Sequence, residues 1–355
     1  MAAHFHPLKV KEVIKETQDC VSVSFIIPED LQEAFLFQEG QNITIRKNIK
    51  GEDIRRSYSV CNAPYERELK VAVKKTPGGL FSSFANDELK AGDVLDIMPP
   101  TGRFNSKNAE GNYLAIAAGS GITPVISIIK HILNTQLHSS FTLIYGNKSR
   151  SSIIFFEEIE ALKNKFMQRF TCINILSRER TDVPINYGRI NTDKLESLQL
   201  LLDFKLFNDA YICGPEEMIF ASAAFLEKAG MPETNIHFEL FTTPGQKKNA
   251  FDVAEISADT GPKSSITVKL DGRSFDFDLA YKSSNILDAA LAQGADLPYA
   301  CKGGVCCTCR AKLIEGQVHM DVNYALEDDE VKQGFILTCQ SHPLSDSVII
   351  DFDIK

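Results

Sequence analysis

The sequence predicts a multidomain fold: an antiparallel β-barrel, then an α/β domain on a parallel sheet, then a small α+β module. Three observations predict it. A chain of 355 residues is too long for one core of ordinary size. The rhythm of the apolar residues changes near Tyr113, from short alternating runs to strands separated by helices. A segment without periodicity then precedes a final stretch crowded with cysteine.

In the first part, Val21–Ile27, Gln41–Ile45, Arg56–Val60, Leu69–Val73 and Val94–Met98 read as β-branched or alternating strands. Gly92-Asp93 and Pro99-Pro100 mark turns, and one short helix is expected over Phe81–Leu89. This pattern, over residues 1–108, suits a small antiparallel barrel. Over residues 109–241 the expected strands are Tyr113–Ala118, Phe141–Tyr145, Thr171–Leu176, Ala210–Cys213 and Ile236–Phe241. Helices Ile122–Leu133, Phe155–Lys165 and Glu216–Lys228 lie between them, an alternation that builds a parallel sheet covered on both faces. Thr242 to Lys263, with Pro244, Gly245, Gly261 and Pro262, reads as a linker. Residues 264–355 form the last module.

Composition narrows the function. A net charge of −9 with no Lys/Arg-rich block argues against non-specific nucleic-acid binding. The last module carries 8 lysines and arginines against 14 aspartates and glutamates, so it holds over half of that excess. Met1 to Val10 has no apolar signal-peptide core, and the expected location is cytoplasmic. Tyr113 to Ile129 is uncharged, but Gly119, Ser120, Gly121 and Pro124 interrupt it where a membrane helix is continuous.

Nine cysteines, an odd number, point to metal binding more than to disulfides. Cys301, Cys306 and Cys309 have the spacing C-x4-C-x2-C, and Cys339 follows in Thr338-Cys339-Gln340. Four thiolates are what a [2Fe–2S] cluster needs, two per iron, and this spacing is the plant-type pattern. Lys302-Gly303-Gly304-Val305 lets the backbone wrap tightly and aim N–H groups at sulfur. Zinc sites show two short Cys/His pairs, which this spacing does not. Cys307 reads as a small filler residue.

Five further motifs suggest phosphate-bearing cofactors. Arg56-Ser57-Tyr58-Ser59 offers a guanidinium for a flavin phosphate and a ring to stack on the isoalloxazine, although it also reads as an ordinary strand with an exposed arginine. Gly78-Gly79-Leu80-Phe81-Ser82 precedes a helix N-terminus, a ready anion site. Gly119-Ser120-Gly121-Ile122-Thr123-Pro124 lies between strand and helix, where a nucleotide pyrophosphate sits, with proline in place of a third glycine. Cys213-Gly214-Pro215 ends a later strand at the carboxyl edge; it also reads as a plain strand-to-helix turn. Ser177-Arg178 is placed to hold a ribose 2′-phosphate, or is a solvated turn.

In order and content these motifs resemble the ferredoxin–NADP reductase-type oxidoreductases that carry a C-terminal plant-type ferredoxin domain. The resemblance spans essentially the whole chain and includes Pro298-Tyr299-Ala300-Cys301 and Leu337-Thr338-Cys339-Gln340. It implies a β-grasp fold for the last module, and FAD, NADPH and a [2Fe–2S] cluster as cofactors. It places Arg56, Ser57, Tyr58, Ser59, Val71, Val73, Gly78, Gly79, Leu80 and Ser82 on the flavin. Gly119, Gly121, Ile122, Thr123, Pro124, Ser177, Arg178, Cys213, Gly214 and Pro215 fall on the nucleotide, and Phe241 over the flavin ring. Cys301, Cys306, Cys309 and Cys339 become the iron ligands. The implied reaction passes a hydride from NADPH to the flavin and single electrons through the cluster to an oxygenase component, docked on the acidic module. No acid–base catalytic residue is expected, since the cofactors carry the chemistry. Phthalate dioxygenase-type reductases share this order but use FMN and NADH, and a redox sensor without turnover is the other class considered.

Overall fold

A computed structural model describes residues 4–106, 109–241, 262–281 and 283–354. It divides into two compact units, one holding His6–Ile54 and Tyr58–Leu240, the other the chain from Phe241 onward with a few residues from elsewhere.

The first unit begins with a six-stranded sheet, ordered β4-β3-β6-β1-β2-β5. Its strands are β1 (His6–Thr17), β2 (Cys20–Ile26), β3 (Asn42–Ile49), β4 (Glu52–Ser59), β5 (Leu69–Lys74) and β6 (Val94–Ile97), with helix α1 at Leu80–Asp87. A Val60–Val71 bridge joins the end of β4 to β5 and closes the barrel. Val21, Val23, Phe25, Ile43, Ile45, Leu95 and Ile97 fill its core. The sequence reading passed over β1. Register shifts between Val10 and Glu12 and between Lys15 and Thr17 break its alternation, so the period-two signal slips twice along one strand.

The same unit continues into a five-stranded sheet, ordered β11-β10-β7-β8-β9, in which every pairing is parallel. Its strands are β7 (Asn112–Ala118), β8 (Ser140–Asn147), β9 (Phe170–Leu176), β10 (Asp209–Cys213) and β11 (Ile236–Glu239). Helices α2 (Ile122–Thr135), α3 (Phe156–Lys165), α4 (Thr192–Leu198) and α5 (Glu216–Lys228) connect them. The uncharged run from Tyr113 is thus β7, a glycine turn and α2. No helix among the described residues is long and apolar enough to cross a membrane. The last strand stops at Glu239, so Phe241, expected to close it, lies beyond it and is 42% exposed.

The second unit carries a mixed sheet, β13-β12-β18-β14-β16, and a two-stranded ribbon, β15-β17. These are β12 (Lys263–Leu270), β13 (Arg273–Ala280), β14 (Arg310–Glu315), β15 (Val318–Met320), β16 (Phe335–Leu337), β17 (Ser341–Pro343) and β18 (Ser347–Asp351). Helix α6 (Ile286–Ala292), capped by the Asn285 side chain, covers the sheet, and α7 (Asp328–Lys332) precedes β16. The core joins Ile266, Val268, Val348 and Ile350 to Leu287 and Ala290 of α6. Of the expected linker, 242–261 lie outside the described residues; Lys263 opens β12.

Candidate functional site

Arg56, Ser57, Tyr58 and Ser59 end strand β4. Arg56 is exposed, Ser57 and Tyr58 half-buried, and Ser59 buried. The Tyr58 ring lies 5.5 Å from that of Phe81 in α1, so the strand motif meets the glycine-led helix. Gly78, at φ +74°, faces open space, and Gly79 and Leu80 are half-buried. The Ser82 hydroxyl accepts from the Thr76 N–H at 3.1 Å and tightens this turn. Val71 and Val73 are fully buried in the barrel core, because β5 turns its odd-numbered side chains inward, and their main chain remains for a ligand.

The nucleotide turn follows β7. Gly119 and Ser120 are half-buried, while Ile122, Thr123 and Pro124 are buried, and the Thr123 hydroxyl donates to the Ser120 carbonyl at 3.0 Å. These three therefore build the turn rather than line it. Gly121 is required by close approach: a Cβ there would lie 2.0 Å from the Cys213 carbonyl oxygen. Beyond Cys213, Gly214 is half-buried and Pro215 exposed. Lys74, at the end of β5, brings its Nζ within 3.7 Å of the position a Gly119 Cβ would take. The sequence reading did not single it out.

Nor did it single out Glu239. In the parallel register Cys213 pairs with Ala117 on one side and Glu239 on the other. Ser59, from the barrel, donates to Glu239 Oε2 at 2.9 Å. Barrel motif, nucleotide strand and buried carboxyl therefore converge at one carboxyl edge. Burial, only partly offset by the Ser59 bond, pushes the Glu239 carboxyl up to about 7. Burial, then the Glu239 charge, raises the Cys213 thiol.

A linkage prediction follows. The folded protein holds the Glu239 proton up to about pH 7 and the unfolded chain only to about 4.5. Stability from this group is complete below pH 4.5, falls as pH rises to about 7, and stays lost above it. Glu239→Gln removes this dependence, at most about 3 kcal/mol between those limits. Urea unfolding of both proteins at pH 5 and pH 8 measures it; equal pH slopes would contradict it.

At the neighbouring edge, the Ser177 N–H donates to the Asn147 carbonyl at 2.9 Å and that of Arg178 to the Lys148 carbonyl at 2.8 Å. The loops after β8 and β9 thus run side by side, presenting exposed Lys148, Arg150, Arg178 and Arg180. The Arg150 N–H donates to the Glu179 carboxylate at 2.8 Å.

In the second unit, Cys301 and Cys306 sit in the loop before β14, Cys309 immediately precedes β14, and Cys339 occupies a single 3-10 turn, Thr338–Gln340. Cys301 and Cys306 Sγ are 3.1 Å apart, and Cys339 lies in hydrogen-bonding range of both Cys301 and Cys309. The two segments are tied together. The Thr338 hydroxyl donates to the Cys309 carbonyl at 3.0 Å and Gln340 Nε2 to the Lys302 carbonyl at 3.1 Å. The Gly303 N–H points at Cys301 Sγ, 3.3 Å away. Gly304 has φ +74°, and a Cβ there would meet Val322 at 3.0 Å. Cys301 pulls the Cys339 thiol down, but Cys309 and burial outweigh it and push it up to about 12. Cys307 instead donates to the Ala325 carbonyl at 3.1 Å.

Three family models match in series: an oxidoreductase FAD-binding domain over residues 7–106, an oxidoreductase NAD-binding domain over 115–223 and a 2Fe-2S iron-sulfur cluster binding domain over 268–344. Among curated proteins, one of the subunits of the 1,2-phenylacetyl-CoA epoxidase of Escherichia coli K12 is 44% identical over 99% of this chain and 98% of its own. This chain belongs to the ferredoxin–NADP reductase-type oxidoreductases with a C-terminal ferredoxin domain. The ferredoxin reductase component of 3-ketosteroid-9-alpha-monooxygenase from Rhodococcus rhodochrous is 32% identical over 97% of this chain and 96% of its own. Phthalate dioxygenase reductase has the same architecture, at TM-score 0.60 and 23% identity over 98% of both chains. The chain is thus an electron-transfer reductase of the kind that serves oxygenase systems, using FAD, a pyridine nucleotide and a [2Fe–2S] cluster.

The donor set of this reductase suits those groups. Four sulfurs each within reach of another, three buried and Cys301 half-buried, with the Gly303 N–H beside Cys301, match a cluster that needs four thiolates. Open space at Gly78, an exposed guanidinium on Arg56 and a half-buried Tyr58 ring suit a flavin phosphate and ring system.

Proposed function

We propose that this reductase oxidises NADPH and supplies electrons to the oxygenase component of a phenylacetyl-CoA epoxidase, in phenylacetate catabolism. The similarity to the Escherichia coli epoxidase protein, 44% against 32% for the steroid reductase, supports the partner. The observation that carries the electron path is Ser59 bonded to Glu239 beside Cys213, which joins the flavin-type and nucleotide-type motifs at one point.

When bound, FAD and the iron–sulfur cluster would supply the hydride acceptance and one-electron chemistry, which belongs to the cofactors. Around the FAD, Arg56 and the turn Gly78 to Ser82 hold flavin phosphate, while Ser57 and the main chain of Val71 and Val73 border the flavin. Tyr58 would stack on its ring. Ser59 and Glu239 would hold an exchangeable proton beside the flavin, the Glu239 carboxyl being pushed up by burial to about 7. The turn Gly119 to Pro124, with Lys74, receives the pyrophosphate. Cys213, Gly214 and Pro215 border the nicotinamide without reacting. Cys301, Cys306, Cys309 and Cys339 ligate the cluster. The domains extend over 1–108, 109–241 and 264–355, with 242–263 as the connection. A reducing cytoplasm suits nine cysteines that form no disulfide.

Arg178 and Ser177 read the 2′-phosphate. Arg178→Ala is expected to weaken NADPH binding roughly tenfold to a hundredfold, the worth of one charge-assisted bond, and to leave NADH binding unchanged. Glu179 favours a second reading, since a carboxylate among these loops suits a free ribose hydroxyl and hence NADH. Steady-state kinetics with both nucleotides separates the two.

The partner is tested by reconstitution with a purified phenylacetyl-CoA oxygenase component. NADPH-driven epoxidation that slows as salt rises is expected from docking on the acidic module. No product, or rates flat with ionic strength, would count against it.

A further inference from the structure

Helix α2 leaves the nucleotide turn directly, and half of its side chains are Ile, Val or Leu. Four of its polar residues recur at helical spacing. Ser127, Lys130, His131 and Asn134 share one face, and all four reach the barrel. The Ser127 hydroxyl donates to the Asn62 carbonyl and accepts from the Gly40 N–H at 3.3 Å. Lys130 Nζ donates to the Cys61 carbonyl at 3.2 Å and pairs with Glu66, also at 3.2 Å, and with Glu158 of α3. His131 Nε2 lies 3.7 Å from Glu39, and Asn134 donates to the Tyr65 hydroxyl at 2.7 Å.

Two of these partners stand out. Cys61 and Asn62 follow directly on Ser59-Val60, the end of the flavin-type motif, and their carbonyls are held by side chains of the helix that begins just after Gly121. The Lys130 side chain is only 3% exposed. Burial lowers the pKa of its ammonium, but Glu158 and then Glu66 outweigh that and keep it charged. A buried ion pair is a poor source of stability, since an apolar residue of similar volume often does as well or better. What directional bonds add is register: apolar helix faces slide, whereas two carbonyls fixed by an ammonium and a hydroxyl do not. Because a helix is a stiff rod, fixing it at Ser127 and Lys130 also fixes the turn at its start.

We propose that Lys130 and Ser127 are positioning residues that set the nucleotide turn against the flavin strand, and so set the geometry of hydride transfer. The proposal rests on the hydride-transfer reading above. Neither residue is placed on substrate or cofactor, so their effect falls on orientation rather than on affinity.

The test is anaerobic stopped-flow reduction of the full-length holoprotein, comparing wild type with Ser127→Ala, Lys130→Met and Lys130→Arg. At saturating NADPH the flavin reduction rate is expected to fall roughly tenfold to a hundredfold in Ser127→Ala and Lys130→Met, as a misplaced nicotinamide requires. The apparent Kd for NADPH stays within about twofold, because these residues do not touch the nucleotide. Lys130→Arg recovers part of the rate, and flavin-to-cluster transfer after photoreduction is unchanged. Wild-type reduction rates in the variants, with only a lowered Tm, would overturn the proposal. If Lys130→Met does not fold, Ser127→Ala decides alone, since it leaves the ion pairs intact. Wild-type protein reduced by neither nucleotide would overturn the functional reading and this proposal together.

Discussion

Replacing Gly121 by alanine is expected to slow hydride transfer about a hundredfold, the cost of moving a reacting group by about 1 Å. The added Cβ would stand 2.0 Å from the Cys213 carbonyl oxygen and 2.8 Å from the Gly214 nitrogen, both main-chain atoms that no rotamer change can move. The turn must therefore lift from the end of β10, carrying the nucleotide away from Ser59 and Glu239. The cluster, in the other compact unit, is untouched, so its absorbance and its reduction by dithionite stay normal. Single-turnover reduction by NADPH checks this; a wild-type rate would mean that the turn does not position the nucleotide.

Cys339→Ala is expected to abolish one-electron delivery while sparing flavin reduction. Cys339 is anchored on its own turn by Thr338 and Gln340. Cys307 is the nearest spare thiol in sequence, but it is bonded to the Ala325 carbonyl. The variant should lose the iron–sulfur absorbance and reduction of cytochrome c, yet retain flavin reduction by NADPH. Cys307→Ala should retain both. A cluster that persists in Cys339→Ala, or vanishes in Cys307→Ala, would reassign the ligands.

What the sequence made legible was what is local. The cysteine spacing, the strand ending in Arg56-Ser57-Tyr58-Ser59, and the alternation around β7 and α2 all lie within short windows where periodicity and turn chemistry speak directly. Helix Glu216–Lys228 has the bounds that its pattern predicts. Where folding brings distant residues together, the reading fell short. Glu239 meets Ser59 across 180 positions, and nothing in Ile236–Glu239 beyond one acidic residue in an apolar strand hints at it. Lys74 carries no local signal of its own, since only the fold sets β5 beside the Gly119 turn. At Val71, Val73, Ile122, Thr123 and Pro124 the motif names the residues but not that their side chains are core, which leaves their main chain for a ligand. A motif gives the residues that build a turn, but which of them face outward depends on the layer packed behind it.

The relay from nucleotide through flavin to cluster within one chain is tested by anaerobic titration of the purified holoprotein with NADPH and, separately, NADH. Flavin and iron–sulfur bands are expected to bleach together at low NADPH, with NADH needed at much higher concentration. Preference for NADH would overturn the role given to Ser177 and Arg178. With both chromophores present, no bleaching by either nucleotide would contradict the relay itself and favour a sensor that does not turn over.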